Sequence, residues 1–234
     1  MSTKLLKRLF IAFLLCVAAI TFRDTVAFTE NSSKGQGGKT PVQEGVVDNL
    51  SFKWALLHRD KQGKIEVLDF KKNPAVTSGD FLKIFILPLK DVHIYVFLYD
   101  SQKRLSPLFS QETDIHKVGK KPYYIPDEKG WFEIDANTGT ETFYLIASRE
   151  RLTDLERLTM EYTNASPEKK DEAKLIVLAE IKKVRQYYSK LTTPGEKPVP
   201  IAGTFRGEEL KPGLTATQVE AEDFYGKTLR LEHK

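Results

Sequence analysis

The stretch FLKIFILPLKDVHIYVFLY, Phe81 to Tyr99, decides the fold. It divides at Lys90 and Asp91 into two runs, Phe81 to Leu89 and Val92 to Tyr99, in which apolar residues fill odd and even positions alike. Successive side chains of a strand point to opposite faces, so a run that is apolar in both registers belongs in the middle of a sheet covered on each side. The two runs therefore predict the centre of the domain.

Outward from that centre, strand chemistry extends from Ser51 to Ala147. Phe52, Trp54 and Leu56 share one face of a first strand, and the turn Asp60-Lys61-Gln62-Gly63 leads into Ile65 to Phe70, which predicts a hairpin. Shorter runs follow at Leu105 to Phe109, Tyr123 to Ile125, Trp131 to Ile134 and Thr142 to Ala147, separated by Gly, Pro, Asp and Asn. About eight short strands at that spacing predict a mainly β fold, an antiparallel β-sandwich or a partly open barrel.

The order of several motifs in this region is familiar. Val76 to Ile84 (VTSGDFLKI), Ile94 to Asp100 (IYVFLYD), Leu108-Phe109, Ile125-Pro126 and Thr140 to Ser148 (TETFYLIAS) together resemble the bacterial family called domain of unknown function 4384, over roughly residues 75 to 155. Three turns depart from the family pattern: Lys103-Arg104 replaces a turn glycine, Ser110 replaces a proline, and Asn137-Thr138-Gly139 replaces a Pro-x-Gly turn. The resemblance implies a small β domain of unassigned activity, found in envelope proteins and attached to signalling proteins, with no catalytic residues to carry over.

After Ala147 the period changes. Leu152, Leu155, Leu158 and Tyr162 recur at helical spacing. Ser166 and Pro167 supply an N-cap and a first helical residue, and Leu175, Leu178, Ile181 or Lys182, Val184, Tyr188 and Leu191 then predict the buried stripe of a second helix. Residues 150–191 thus read as a helical hairpin packed on one face of the sheet. Thr192 to Gly213, rich in Pro and Gly, reads as a surface connection, and 223–232 as a half-buried last strand, so the helices form an insertion before that strand.

At the other end, Lys4, Lys7 and Arg8 precede an uncharged run from Leu9 to Ile20, closed by Arg23 and Asp24. That pattern predicts a secretory signal over 1–27, cut after Ala27. The run is shorter than the 18 or so residues a spanning helix takes. Cys16 follows Phe13, Leu14 and Leu15, whereas a lipidation site wants small residues there, so no lipid anchor is expected. Residues 28–49 read as a flexible linker and 50–234 as a single β-rich domain. Within the linker, Ser33 to Thr40 approaches a phosphate-loop pattern but lacks the first glycine, the leading strand and the following helix.

Removing 1–27, which holds four basic residues against Asp24, takes the formal charge from +4 to about +1. A near-neutral domain has no bulk field for nucleic acid or an anionic membrane, so neither is an expected partner, and a membrane contact is left only to an uncleaved signal segment. The sole cysteine leaves with the signal, which excludes a disulfide and a thiol mechanism.

Candidate sites are few. His58, His93, His116 and His233 lack metal-ligand spacing, and no metal or cofactor is expected. Asp100, Asp114, Asp127, Glu128 and Asp135 lie at loop ends, where a carboxylate pair for glycoside cleavage could sit, although such residues usually close turns. Tyr95, Phe97 and Tyr99 share one face of a strand, where they either line a groove or lie beneath the helices. Tyr123, Tyr124 and Trp131 flank the Pro126–Gly130 loop and either bind a peptide or glycan or simply pack. Lys182, Lys183 and Arg185 form the candidate outward face for an acidic partner.

The reading that survives is an exported, non-catalytic binding or interaction module of the bacterial cell envelope, periplasmic or extracellular, whose partner is another envelope protein or a wall component. An exported hydrolase using loop carboxylates and a membrane-tethered structural subunit are the alternatives.

Overall fold

The computed structural model describes residues 49–108, 121–189, 193–201 and 213–234. The expected signal segment, the linker up to residue 48, and Phe109, Asp114, His116 and Leu191 lie outside the described residues. The strands before the helices are β1 (Leu50–Arg59), β2 (Ile65–Val67), β3 (Ala75–Val76), β4 (Phe81–Pro88), β5 (His93–Tyr99), β6 (Leu105–Pro107), β7 (Tyr123–Ile125), β8 (Phe132–Glu133) and β9 (Gly139–Ser148). Helices α1 (Thr153–Asn164) and α2 (Pro167–Tyr188) follow, and then β10 (Gly195–Pro200), β11 (Thr215–Ala221) and β12 (Phe224–His233).

Two sheets face each other as a sandwich. The first runs β10-β11-β1-β4-β7, with β2 also beside β1 and β8 also beside β4. The second runs β3-β12-β9-β5-β6, antiparallel throughout except where β3 lies parallel to β12. The period of two sorts the side chains between the layers. Phe52, Trp54 and Leu56 of β1 and Leu82, Ile84 and Ile86 of β4 meet Ile94 and Val96 of β5, Phe143 and Leu145 of β9, and Leu229 and Leu231 of β12 in one core. Full burial of each such side chain stabilises by about 1.5–3 kcal/mol.

The two runs that are apolar on both sides are indeed inner strands, one in each sheet. Outward-facing Phe97 of β5, Ile146 of β9 and Phe224 of β12 lie under the helices, against Leu155, Tyr162, Val177, Ile181 and Val184. Tyr95 and Tyr99 pack against the same cluster, so the row Tyr95, Phe97, Tyr99 lies beneath the helical hairpin. Hydrogen bonds fix the lid as well. Leu152 N donates to Tyr95 Oη at 2.9 Å, Tyr95 Oη donates to Glu156 Oε1 at 2.8 Å, and Tyr162 Oη donates to Leu105 O at 2.6 Å.

The stripe on α2 differs from the expectation at one end. Leu175 is 63% exposed, and the buried residues are Val177, Ile181 and Val184. Leu175 to Leu178 are four consecutive apolar residues, so spacing alone permits two phases, and contact with Phe97 and Ile146 selects the one through Val177.

A second difference concerns the end of the chain. Among the described residues three strands, not one, follow the helices. β10 falls in the segment read as a connection, because Pro198 and Pro200 speak against a strand; it is an edge strand, where proline is tolerated. β11 (TATQVEA) buries only small side chains and Val219, so its alternation carries little hydrophobic signal.

Candidate functional site

The three aromatics flanking the Pro126–Gly130 loop do not share a surface. Tyr123 and Tyr124 are consecutive in β7, so they point opposite ways: Tyr123 packs against the sandwich core and Tyr124 against the outer cluster with Phe85. Tyr124 and Trp131 roof over Lys83, which is only 1% exposed although it sits mid-strand on the outer face of the first sheet. Its ammonium lies 4.7 Å from the Trp131 ring centroid and 5.8 Å from that of Tyr124, and donates to Glu128 O at 2.9 Å. Arg59 stacks between Phe81 and Trp131, at 4.5 and 4.7 Å. Asp127 closes the loop by accepting from the N–H groups of Lys129 and Gly130. This constellation holds a loop in place.

The basic residues of α2 divide too. Lys182 and Arg185 line one hollow of about 540 Å³ with Gln186, Phe224 and Gly226, while Lys183 turns away and pairs with Glu180 at 3.0 Å. Elsewhere on the helix Lys170 donates to Tyr162 O and Thr163 O at 2.7 and 3.0 Å, capping α1, and Lys174 pairs with Asp171 at 2.7 Å.

The described residues converge most at one open end of the sandwich. The inward rows that are apolar along most of their length become ionisable there. On β9 the row Ala147, Leu145, Phe143 ends in Glu141, and on β12 the row Leu229, Leu231 ends in His233. Beside them Asp100, Ser101 and Arg104 of the β5–β6 turn and Asp135 after β8 complete the mouth of a cleft of about 440 Å³. Its apolar walls include Leu82, Phe132, Leu98, Leu108 and Phe143.

Turn chemistry fixes the rim. Asp100 Oδ1 accepts from Arg104 N at 2.7 Å, and Oδ2 from Arg104 Nε at 2.6 Å. Asp135 accepts from Asn137 N and Nδ2 at 2.8 and 2.7 Å, which holds its carboxyl below the usual range, and Arg104 Nη2 stands 4.0 Å from it. Gly139, at φ 140°, lets β9 approach this turn, since a Cβ there would come within 2.7 Å of Ser101 Cβ. That approach brings Ser101 N to donate to Glu141 Oε1 at 3.3 Å.

Glu141 is 8% exposed, and its Oε2 has no hydrogen-bond partner among the described residues. Burial pushes its carboxyl above the ordinary range; the N–H and the hydroxyl of Ser101 oppose the rise and the charge of Asp100 adds to it. His233 is 4% exposed, with Ser78 Oγ 3.0 Å from Nε2. Of the loop carboxylates singled out in the sequence, Asp100 and Asp135 meet in this cleft, whereas Asp127 belongs to the Lys83 loop. Glu141 is not among the residues the sequence singles out, and His233 enters there only as a histidine without metal-ligand spacing, yet both stand at inward positions of strands whose alternation is plain, and that parity is the signal which locates them.

His58 serves a different purpose. Its Nε2 lies 3.1 Å from Asp80 Oδ2 and its Nδ1 3.3 Å from Glu66 Oε1, tying β1 to β2 and to the turn before β4. Among the described residues no group of three or more His, Cys, Asp or Glu is placed to hold a metal ion, and no described helix is long and apolar enough to cross a membrane.

No curated protein and no solved structure matches the chain. Residues 75–151, which carry Asp100, Asp135 and Glu141 but not His233 or the helices, match the family described as Domain of unknown function (DUF4384), the family that the sequence resembles.

Proposed function

We propose that this chain is an exported, non-catalytic binding module of the bacterial cell envelope, and that the open end of the sandwich is its principal binding site. One observation carries the reading. Asp100 and Asp135 have their oxygens committed to closing turns and to Arg104, so the cleft offers apolar walls and one buried carboxyl, Glu141, with which neither of those two is free to form an acid–base pair. The cationic start and apolar run of residues 4–20 support export, to the periplasm or beyond. Another envelope protein or a wall component is the partner in this reading, and Lys182 and Arg185 around their hollow are a second contact surface.

The test is photocrosslinking from the rim. A photoreactive residue at exposed Ser106, introduced into the full chain in cells, should capture a discrete envelope protein or wall fragment, and the recovered protein should begin at Phe28. Capture of nothing, in a protein that is folded and exported, would overturn the proposal.

The hydrolase reading has one observation in its favour: Glu141, with its carboxyl raised by burial, shares a cleft with three further carboxylates, as a general acid does. Turnover of oligosaccharide substrates that disappears in Glu141→Gln would establish it in place of the binding reading.

A further inference from the structure

We infer that the cleft receives a protonated primary amine on an alkyl stem, seated against Glu141. This rests on the binding reading above and names the chemistry of its ligand. Charge comes first. The lining carries Asp100, Glu133, Asp135 and Glu141 against Arg104 and His233, and Arg104 is already engaged by Asp100 and stands beside Asp135. An anionic ligand entering here meets carboxylates, while a cation meets attraction.

The free valence comes next. A buried carboxylate oxygen needs donors, and Glu141 Oε2 has none among the described residues. Its sister oxygen already accepts from Ser101 N, so Oε2 is the oxygen left without a donor. A guanidinium binds best through a fork that engages both oxygens, whereas an ammonium is a compact charge that one oxygen satisfies. The arrangement therefore favours an amine over a guanidine.

The walls give the third argument. Behind the carboxyl, Leu82, Phe132 and Phe143 line the cleft, and its volume of about 440 Å³ takes a stem of several carbons. Phe rings add the attraction of an aromatic face for a cation. The raised Glu141 carboxyl is consistent with such a site, because an arriving ammonium compensates the buried charge and expels the proton, so affinity rises with pH.

An alkylammonium group comes from a free amine or from a lysine-type side chain of a polypeptide, and one experiment separates the two. Amide chemical shifts of the full chain are followed during titration with n-butylammonium, with 1,5-diaminopentane, with a short N-acetylated, C-amidated peptide containing one lysine, and with butyrate as the anionic control. Butylammonium should saturate with a Kd on the order of 1 mM and move the Ser101 and Thr142 signals. The source is a polypeptide where the lysyl peptide binds tighter than butylammonium, and a free amine where only the diamine does. Glu141→Gln should weaken binding at least tenfold while keeping the thermal transition. Ser106→Lys, at an exposed position of the lining, should block the cleft with its own ammonium.

Unsaturable shifts, equal binding of butyrate, or unchanged affinity in both variants would overturn the inference. So would a partner whose crosslinking is undiminished when butylammonium is present before irradiation, and that last result would leave the binding-module reading standing.

Discussion

On the outer face of the second sheet, Phe97, Ile146 and Phe224 are hidden by two helices; on the outer face of the first, Ala55, Leu57 and Phe85 share their cluster with a lysine and an arginine stacked against rings. Both faces belong to inner strands that must be shielded from water. The helical cover is apolar and spread over many contacts, so it is non-directional and tolerant. The cation and ring cover is directional and depends on a few side chains, with Lys83 at its centre. The difference shows that a buried lysine in mid-strand can be an element of packing, and that a cation buried among aromatics need not mark a binding site.

The comparison is most severely tested at Ile181. Ile181→Asp places an unpaired carboxylate against Phe97 and Phe224 and should cost about 4 kcal/mol or more, with the helical signal in circular dichroism lost at lower urea than the strand signal. Helices that melt with unchanged midpoint would mean the lid is not the cover it is described as.

A middling effect is expected on the other face. Lys83→Met keeps most of the stem and deletes the ammonium, which should cost about 1–3 kcal/mol in urea unfolding and shift the fluorescence of Trp131. Neutral or higher stability would show that the cation adds nothing beyond what an apolar residue of its size supplies, as is found for some buried ion pairs.

The smallest effect concerns pH and the helical lid. Burial pushes the Glu156 carboxyl up, but the Arg151 guanidinium and the Tyr95 hydroxyl outweigh it and hold the group below its usual range. Its folded value is thus lower than its unfolded one, so its contribution is present above the ordinary carboxylate range and lost as pH falls through the depressed value. Glu156→Gln should lower Tm by a few degrees at neutral pH, and the gap from the unmodified chain should close between about pH 5 and pH 3. A gap independent of pH would assign the loss to packing.

Much of this was legible in residue patterns, and the exceptions have physical causes. The double-sided apolar runs around Phe85 and Val96 marked the inner strands, and the spacing of Leu155 and Tyr162 marked the lid, because burial on a periodic element leaves a period. β10 and β11 were hidden since an edge strand tolerates proline and a strand facing small partners needs little bulk. The site was half legible. Asp100 and Asp135 were visible as loop carboxylates, but their meeting depends on two turns from opposite sheets, which no local pattern encodes. Glu141 was overlooked because a carboxylate in a strand reads as solvated, although its parity with Phe143 and Leu145 already placed it inside. Tyr123 and Tyr124 were grouped by adjacency, and in a strand adjacency separates.

The prolines of β10 have a consequence for how this protein lives among others. Ile201 N donates to Leu214 O, so odd-numbered backbone groups of this edge face β11, and Pro198 and Pro200 point their nitrogens outward. A strand from a neighbouring molecule that arrives there finds no donor at either position. With those two donors missing, this border is a poor template for sheet growth, and contact with other proteins along it falls more to side chains.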